Sequence, residues 1–386
     1  MFDSVDINKQ KIIIASDSFK GSASSYEVAQ YIENGILKMN PACEVLKFPI
    51  ADGGEGTVDS LVIGLNGEYE YVDVIGPYGN TVKAKFGLLN EGKTAIIEMA
   101  EASGLHLIEN DVMDPFKATS FGTGEVIKKA LDYGVEEIFI GIGGSATNDG
   151  GAGAVQALGV SLKDLYGKEI GFGAEELKQI STIELEDLDK RIKDVSITIL
   201  SDVTNPLCGE KGASYTYGPQ KGASEEDLPV LDRILENYGK KVEEALDTKL
   251  IHKKGSGAAG GMGLALIAFC EAKMMSGIDE ILNLLPIEEK MKETSLVITG
   301  EGKMDGQSLQ GKAPMGVAKL AKKHHLPVIA IVGSADYDLS KVYNEGIDLV
   351  IEIIYKPMNL EEALAQTSQL IERAAEKAYR VFCFNK

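Results

Sequence analysis

Short apolar runs alternate with segments of helical spacing in the outer parts of the chain. The run "KIIIAS" at residues 11–16 precedes "SSYEVAQYIENGILKM", whose apolar residues recur at helical spacing, and Ser24 with Glu27 forms a capping-box pair at its start. After residue 293 the same alternation returns as "SLVITG", "APMGVAKLAKKHH" and "LPVIAIVGS". Strands that alternate with helices predict a parallel sheet with helices on both faces.

A different pattern in the middle of the chain predicts a second domain. The segments "EYEYVDVIG", "VKAKFGLL" and "TAIIEMA" follow one another with only short turns, which is typical of an antiparallel meander. A chain of 386 residues also exceeds the usual size of a single hydrophobic core, ~250–300 residues. We therefore expect an α/β protein in which a second α/β domain is inserted into a doubly wound, flavodoxin-like domain. The expected boundaries are 1–70, 112–158 and 293–386 for the doubly wound domain and 71–111 and 159–292 for the inserted domain.

The charge and the apolar runs exclude several classes of partner. The net charge is −20 and no basic stripe stands out, so the sequence predicts no binding to nucleic acid. The apolar runs fall short of the ~20 residues of a membrane span, and residues 1–20 lack the cationic start and apolar stretch of a signal peptide. The four cysteines are scattered without a CxxC pair. We expect a cytoplasmic protein without membrane contact, and the oligomeric state stays open, with a homodimer among the alternatives.

One segment matches a nucleotide-binding motif. Residues 87–94 read "GLLNEGKT" and fit the phosphate-loop pattern G-x-x-x-x-G-K-[ST]. A phosphate loop lies between a buried strand and a helix, whereas here the flanking segments both have strand character. A helix beginning in "EMAEA" is the alternative. The flanks favour a hairpin turn, so we expect no nucleotide site at this match.

Four glycine-rich loops follow predicted strands and are better candidates for a site. They read "SDSFKGS" at 16–22, "IADGGEGT" at 50–57, "GIGGSATNDGGAG" at 141–153 and "TGEGKMDGQSLQGKAP" at 299–314. In parallel sheets, ligands bind at the carboxyl ends of the strands. Any one loop could serve only as a turn, because Asp-Gly and Asn-Asp-Gly sequences are typical of turns. Together the loops favour phosphoryl transfer, in which backbone amides and lysines hold phosphates and carboxylates hold Mg²⁺.

Two weaker motifs support a rival class of function. Residues 141–146 and 255–260 both match the pattern G-x-G-x-x-G/A of dinucleotide-binding folds, which would suit an NAD-dependent oxidoreductase of small hydroxy acids. The first match lacks a convincing acidic residue ~20 positions later, and the second has no strand before it. A non-catalytic binding protein for sugar acids is a further alternative, although it would not need so many carboxylates and lysines in separate loops.

The same loops carry a resemblance to a known family. The segments "ASDSFKGS", "PIADGGEGT", "IEMAEASGL", "IGIGGSATNDGGAG", "SDVTNPLCGEKGAS" and "VITGEGKMDGQSLQGKAPMGVA" occur in order along nearly the whole chain and resemble those of the bacterial type I glycerate kinases. The resemblance implies ATP-dependent phosphorylation of D-glycerate with Mg²⁺, and two α/β domains with the active site in the cleft between them. It favours 2-phosphoglycerate as the product, and 3-phosphoglycerate stays open. Where the family has arginine in "GEGRID", this chain has Lys303, which keeps the charge but not the bidentate fork.

Residue chemistry and loop position give the candidates their expected roles. The carboxylate of glycerate needs fixed donors, for which Ser18 and Lys20 are the first choice. Asp52 is the first choice and Asp202 the second for orienting or deprotonating the attacking hydroxyl, and Lys20 is also counted as catalytic. The expected substrate-binding residues are Asp17, Ser18, Lys20, Gly53, Gly54 and Lys221.

The third and fourth loops supply the nucleotide and metal candidates. The expected nucleotide-binding residues are Gly143, Gly144, Ser145, Thr147, Asn148, Lys303 and Lys312. The expected Mg²⁺ ligands are Asp149, Glu301 and Asp305. Which carboxylate accepts the proton and which holds the metal stays open, because the chemistry of the loops permits exchanges among them.

Overall fold

The computed structural model describes residues 10–108, 113–306, 309 and 312–384. The chain divides into two compact units. Unit 1 comprises Met1–Asp52, Asp59–Leu65 and Ile278–Lys386, and unit 2 comprises Gly53–Val58 and Asn66–Gly277.

The regular elements follow one another along both units. The described strands are β1 (Lys11–Ile14), β2 (Glu44–Lys47), β3 (Glu68–Ile75), β4 (Thr81–Leu89), β5 (Thr94–Glu98), β6 (Glu137–Gly141), β7 (Ser161–Lys163), β8 (Thr182–Glu184), β9 (Ser196–Leu200), β10 (Lys273–Met275), β11 (Leu296–Met304), β12 (Val328–Ala335) and β13 (Leu349–Glu352). The described helices are α1 (Ser25–Met39), α2 (Thr57–Gly64), α3 (Ala100–Ser103), α4 (Phe121–Asp132), α5 (Ala152–Ala157), α6 (Ala213–Tyr217), α7 (Leu228–Leu246), α8 (Ala258–Phe269), α9 (Gly277–Leu284), α10 (Ile287–Met291), α11 (Ala313–Lys323), α12 (Ser340–Asn344), α13 (Leu360–Ala365) and α14 (Thr367–Phe384). Short 3-10 helices span Leu105–Leu107, Glu176–Gln179, Lys190–Asp194 and Pro219–Lys221.

Unit 1 is built on a five-stranded parallel sheet with the strand order β13-β12-β11-β1-β2. Neighbouring residues of β1 point to opposite faces, and Ile12 and Ile13 are both fully buried, so both faces of the sheet are covered. Residues of α1 and α14 share a hydrophobic core with Ile12, and α11 contacts β11 and β12. The structure thus confirms the parallel α/β architecture that the alternation of strand and helix segments along the sequence predicts.

Helix α1 begins where the sequence predicts and packs closely on α14. Ser24 Oγ accepts a hydrogen bond from Glu27 N at 3.3 Å, and Glu27 Oε2 accepts one from Ser24 N at 2.9 Å, which completes the capping box. Gly35 lies where the two helices meet, and a Cβ at this position would come within 2.3 Å of Glu372 O. The absence of a side chain at Gly35 therefore permits the close approach.

Unit 2 contains a six-stranded mixed sheet with the strand order β10-β9-β6-β5-β4-β3. Strands β3, β4 and β5 form an antiparallel meander, as the short turns between them predict. Strands β5, β6, β9 and β10 pair in parallel. Strands β7 and β8 of this unit form a small separate antiparallel pair. The carboxyl ends of the parallel strands carry the loop at residues 141–153.

The division into units differs from the expected boundaries in one large segment and three short ones. Residues 53–58 and 66–70 belong to unit 2, and residues 278–292 belong to unit 1. The sequence analysis assigned residues 112–158 to the first domain, whereas the structure places them in unit 2. The reason is that β6 lies between β5 and β9 and pairs with both. Helix α4 contacts β3 and α5, so the whole segment shares the core of unit 2. Such pairing between distant strands leaves no local signal in the sequence.

The segment "GLLNEGKT" forms a hairpin, as expected. Strand β4 ends at Leu89, β5 begins at Thr94, and these two residues are paired across the antiparallel ladder. Asn90, Glu91 and Gly92 adopt positive φ angles of 51°, 57° and 83°, which is typical of a tight turn between strands. No helix follows the glycine and lysine of the motif, so the match is not a phosphate loop.

The two longest described helices, α7 and α14, are amphipathic and pack against the cores of their units. Among the residues that the structure describes, no helix is both long enough and apolar enough to cross a membrane.

Candidate active site

A cavity of about 500 Å³ lies in unit 1 at the carboxyl ends of β1, β11, β12 and β13. This is the edge of a parallel sheet at which ligands bind. One part of its wall is formed by ionisable residues from three of the glycine-rich loops. These residues are Asp17, Lys20, Asp52, Glu301, Lys303 and Lys312, with Ser18 beside them.

Backbone pairing beyond the ends of the strands brings the three loops together. Asp17 N donates to Gly300 O at 3.0 Å, which extends the pairing of β1 with β11 and holds Asp17 beside the strand that carries Glu301. On the other side, Ile50 N donates to Ser16 O at 3.0 Å and continues the pairing of β1 with β2 toward Asp52. The adjacency of β11, β1 and β2 in the sheet is therefore what gathers the carboxylates.

The carboxyl group of Asp17, in the wall of this cavity, is buried and has a raised pKa. Asp17 is 8% exposed, and its Oδ1 accepts a hydrogen bond from Ser18 N at 2.6 Å. The pKa of Asp17 is raised to about 7, mainly by burial, then by the negative charge of Asp52, with a smaller contribution from Glu301. The Ser18 amide and the charge of Lys20 oppose this rise in pKa. The site thus holds a carboxyl group that gains or loses a proton near neutral pH.

Lysines supply the opposite charge in the same cavity. Lys312 Nζ lies 3.4 Å from Glu301 Oε2, and the Glu301 side chain is almost wholly buried. Lys303 Nζ lies 3.2 Å from Asp305 Oδ2 and is well exposed. Lys20 lies on the tight turn in which Phe19 N donates to Ala23 O at 2.8 Å. Such cations suit the anionic oxygens of phosphate and carboxylate groups. Asp305 is not itself part of the cavity wall.

The third glycine-rich loop has a different environment from the one expected. In unit 2, the side chains of Ser145, Thr147 and Asn148 are buried. Lys221 Nζ donates to Ser145 Oγ at 2.9 Å and to Thr147 O at 2.6 Å, so it fastens the loop from inside the unit. Burial lowers the pKa of Lys221 to about 7, although the charge of Asp149 opposes this effect. Ser145 and Asn148 thus make contacts within unit 2, and nucleotide binding by Ser145, Thr147 and Asn148 stays a prediction.

The expected role of Asp149 as a Mg²⁺ ligand does not fit its surroundings. The residue is fully buried, and its carboxylate accepts hydrogen bonds from Ser120 N, Ser120 Oγ, Gly151 N and Gly153 N at 2.8 to 3.3 Å. Burial raises the pKa of Asp149, whereas these hydrogen bonds lower it. The carboxylate is occupied by protein donors and ties the loop to the start of α4, which leaves the expected metal role without support.

Glycines of the second and third loops serve close packing within unit 2. A Cβ at Gly143 would come within 2.7 Å of Gly54 Cα, and a Cβ at Gly53 would come within 2.3 Å of Leu200 O. Gly143 N also donates to Gly53 O at 3.3 Å. Binding of substrate by Gly53 and Gly54 stays a prediction, as does nucleotide binding by the backbone of Gly143 and of the exposed Gly144.

Asp202 is not part of the wall of the unit 1 cavity. It follows β9 and lines a cavity of unit 2 together with Lys253, Lys254 and Lys273. Glu271 lines the same cavity, which lacks the cluster of carboxylates found around Asp17. The expected role of Asp202 in deprotonation stays a prediction.

The sequence analysis overlooked Glu98, a second buried carboxylate with an altered pKa. Glu98 lies at the end of β5 and is 4% exposed, and its Oε1 accepts a hydrogen bond from Val58 N at 2.7 Å. Burial raises the pKa of Glu98 to about 7, against the lowering effect of the hydrogen bonds from the Val58 and Gly56 amides. The only signal in the sequence was a glutamate at the end of an apolar strand.

The two dinucleotide-type motifs lack the geometry of a Rossmann site. The first match follows β6, but no helix opens at its last residue, since α5 begins only at Ala152. The second match contributes a break within α8, where Ala259, Gly260 and Gly261 all have positive φ angles. A Cβ at Gly260 would come within 2.0 Å of Thr147 O, so this glycine is needed for packing. The oxidoreductase alternative therefore gains no support.

The amino-acid sequence is similar to a protein family and to several proteins named glycerate kinase. Residues 12–383 match the profile of the glycerate kinase family. The chain is 48% identical over 365 residues to the glycerate 2-kinase of Escherichia coli (strain K12), with 95% of this chain and 96% of that protein covered. It is 47% identical over 365 residues to the glycerate kinase of Bacillus subtilis (strain 168), with 95% and 96% covered.

A solved structure has the same fold over nearly the whole length. It is a crystal structure of a Salmonella typhimurium LT2 protein assigned as glycerate kinase 2, and the TM-score is 0.86 at 45% sequence identity. The similarity covers 98% of this chain and 99% of that one.

Proposed function

The chain belongs to the glycerate kinase family, and from this membership we propose that it transfers the γ-phosphoryl group of ATP to D-glycerate. The observation that carries the proposal is the cavity of unit 1, where carboxylates and lysines from three loops form one wall. Phosphoryl transfer needs cations for the phosphate oxygens and a carboxylate that orients the attacking hydroxyl. The cavity offers both kinds of group.

We assign the proton of the attacking hydroxyl to the pair formed by Asp17 and Asp52. A general base works best when its pKa lies near the operating pH, and the pKa of about 7 for Asp17 meets this condition. The negative charge of Asp52 contributes to that pKa, so Asp52 assists the base through its charge. This assignment extends the expected base, Asp52, to include its neighbour Asp17.

Lysines and a magnesium ion balance the charge of the phosphates in this proposal. Lys303 and Lys312 are assigned to the phosphate chain of ATP, and Lys20 with Ser18 to the carboxylate of glycerate. Within the described residues no group of three acidic, histidine or cysteine side chains forms a metal site by itself. Mg²⁺ in kinases is commonly held by one or two carboxylates together with substrate phosphates, and Glu301 fits that requirement. The ion would supply charge neutralisation at the phosphates.

The preferred product is 2-phosphoglycerate. Support comes from the Escherichia coli relative at 48% identity, whose name specifies a 2-kinase. The two hydroxyl groups of glycerate are adjacent, so a small shift of the bound substrate would give 3-phosphoglycerate. The choice between them therefore needs a direct measurement.

The test is ³¹P and ¹H NMR of the product after incubation of the purified protein with D-glycerate, ATP and Mg²⁺. Formation of 2-phosphoglycerate is the expected result. Formation of 3-phosphoglycerate would retain the kinase and reverse the regiochemistry. A folded protein that consumes no ATP and forms no phosphoglycerate would contradict the proposal.

A further inference from the structure

The cavity of unit 1 has a second, apolar wall that the proposed chemistry does not use. It is formed by Ile353 and Ile354 after β13, by Met358, and by Leu360 and Leu364 on α13. Leu360 is 74% exposed, Leu364 41% and Ile354 37%. Residues four positions apart lie on the same face of a helix, so Leu360 and Leu364 present one apolar surface.

The local structure holds this apolar surface in place. Asn359 Oδ1 accepts a hydrogen bond from Glu362 N at 2.8 Å and caps α13. At the other end, Thr367 Oγ1 donates to Leu364 O at 2.8 Å. Helix α13 is thus fixed at both ends, while two of its leucines stay largely outside the hydrophobic core. An arrangement of this kind is typical of a binding surface.

The two walls together match the polarity of a nucleotide. ATP has an aromatic base with apolar faces at one end and a polyanionic phosphate chain at the other. Glycerate has three carbons, each bearing an oxygen, and offers nothing that an apolar wall would bind. A cavity of about 500 Å³ also falls within the ~300–1,000 Å³ of small-molecule sites.

We propose that the apolar wall formed by Ile353, Ile354, Met358, Leu360 and Leu364 binds the adenine base of the phosphoryl donor. The phosphate chain then extends toward Lys303 and Lys312 in the same cavity. This inference rests on the proposed function, since it takes ATP as the donor. It places the base in unit 1 and not at the loop of residues 143–148, where Ser145 Oγ accepts from Lys221 and Asn148 Nδ2 donates to Ser214 Oγ.

The test separates the base from the phosphates by measuring two ligands with one variant. The affinity of MgADP and of magnesium tripolyphosphate is measured by titration calorimetry for the wild type and for Leu360→Ser/Leu364→Ser. We expect the dissociation constant of MgADP to rise at least about 10-fold, because the base loses two apolar contacts. The dissociation constant of tripolyphosphate is expected to change by less than about twofold, since no charge is altered.

A matched control shows that the effect belongs to this wall. Leu165 is 72% exposed and lies in unit 2, so Leu165→Ser removes a leucine of almost the same exposure as Leu360. This control is expected to leave both affinities unchanged. The single variant Leu360→Ser, at the more exposed position, should weaken MgADP binding in the same direction but less, and thermal unfolding checks that each variant is folded.

The outcomes distinguish this inference from the function on which it rests. An unchanged MgADP affinity in the double variant, in a protein that still phosphorylates glycerate, would overturn the adenine assignment and leave the kinase intact. An equal loss of affinity for MgADP and tripolyphosphate would also overturn it. A wild type that forms no phosphoglycerate would contradict the proposed function itself.

Discussion

Burial alters the ionisation of three side chains that look ordinary in the sequence. Asp17, Glu98 and Lys221 each have a pKa of about 7, and in all three the main cause is removal from water. The sequence identified Asp17 and Lys221 as candidates by residue type and loop position. It could not predict their pKa values, because burial depends on segments that are distant along the chain.

The lowered pKa of Lys221 predicts a specific dependence of stability on pH. Between pH 7 and the usual lysine value of 10.5, the unfolded chain binds a proton at this residue that the folded chain does not. The contribution of Lys221 to stability is therefore full above pH 10.5 and is lost as the pH falls through about 7. In Lys221→Met this dependence disappears, so the thermal midpoint of the wild type should gain on the variant between pH 7.5 and 9.5, roughly.

Lys190→Met is the control for Lys221→Met, because Lys190 is exposed. Its thermal midpoint should follow that of the wild type across the same range of pH. Parallel curves for the wild type and Lys221→Met would show that Lys221 is charged in the folded protein, contrary to the account.

The raised pKa of Glu98 predicts a change of stability with pH that is opposite in sign to that of Lys221. Its pKa is raised from 4.5 to about 7, so its contribution to stability is full below pH 4.5 and is lost as the pH rises through about 7. Glu98→Gln keeps the shape of the side chain without the ionisation. We expect the wild type to lose stability relative to Glu98→Gln as the pH rises through this range, measured by thermal unfolding. Glu186→Gln, at an exposed position, serves as the control. A difference in thermal midpoint between the wild type and Glu98→Gln that stays constant with pH would contradict the raised pKa of Glu98.

At the scale of the elements, local patterns predicted well and long-range pairing did not. The hairpin between β4 and β5 depends only on its two strands and the turn, so the sequence of residues 87–94 was sufficient to reject a phosphate loop. The assignment of β6 to unit 2 depends on pairing with β9, which begins at Ser196, more than fifty residues later. That pairing is tertiary, and nothing near β6 indicates it.

The hairpin makes a prediction about the lysine of the apparent motif. Lys93 Nζ lies 3.0 Å from Glu136 Oε1, and both side chains are well exposed. Such surface pairs contribute little, so Lys93→Ala should leave kcat and the KM for ATP within about twofold of the wild type in a coupled kinase assay. Lys312→Ala removes a lysine of the unit 1 cavity and should reduce kcat/KM for ATP by roughly 100-fold or more. A comparable loss in Lys93→Ala would restore the motif as a nucleotide site.

At the scale of the molecule, adjacency in the sheet explains which loops meet. The sequence predicted that loops at the carboxyl ends of strands would form the site, and the order β11-β1-β2 brings three of them to one cavity. The third loop looked equally suitable in the sequence. Its side chains are buried because Lys221 and the break in α8 at Ala259–Gly261 pack against it. Both come from segments that lie far along the chain from the loop. Composition alone cannot reveal such packing.

The apolar wall of the unit 1 cavity could not be predicted from the sequence either. The segment that carries Met358, Leu360 and Leu364 shows an ordinary amphipathic pattern, and such residues are usually expected in a core. Only the exposed position of the two leucines at the rim of a charged cavity distinguishes them.

The central claim is that the cavity of unit 1 is the site at which the phosphoryl group is transferred to glycerate. The most direct measurement is the rate of phosphoglycerate formation by the wild type, Asp17→Asn and Asp52→Asn, with Asp73→Asn, an exposed position on β3 of unit 2, as the matched control. The account predicts that kcat falls by roughly 10²–10⁴-fold in each of the two cavity variants, because an amide cannot accept the proton of the hydroxyl. The control should keep the wild-type rate. Wild-type turnover in folded Asp17→Asn and Asp52→Asn would contradict the claim.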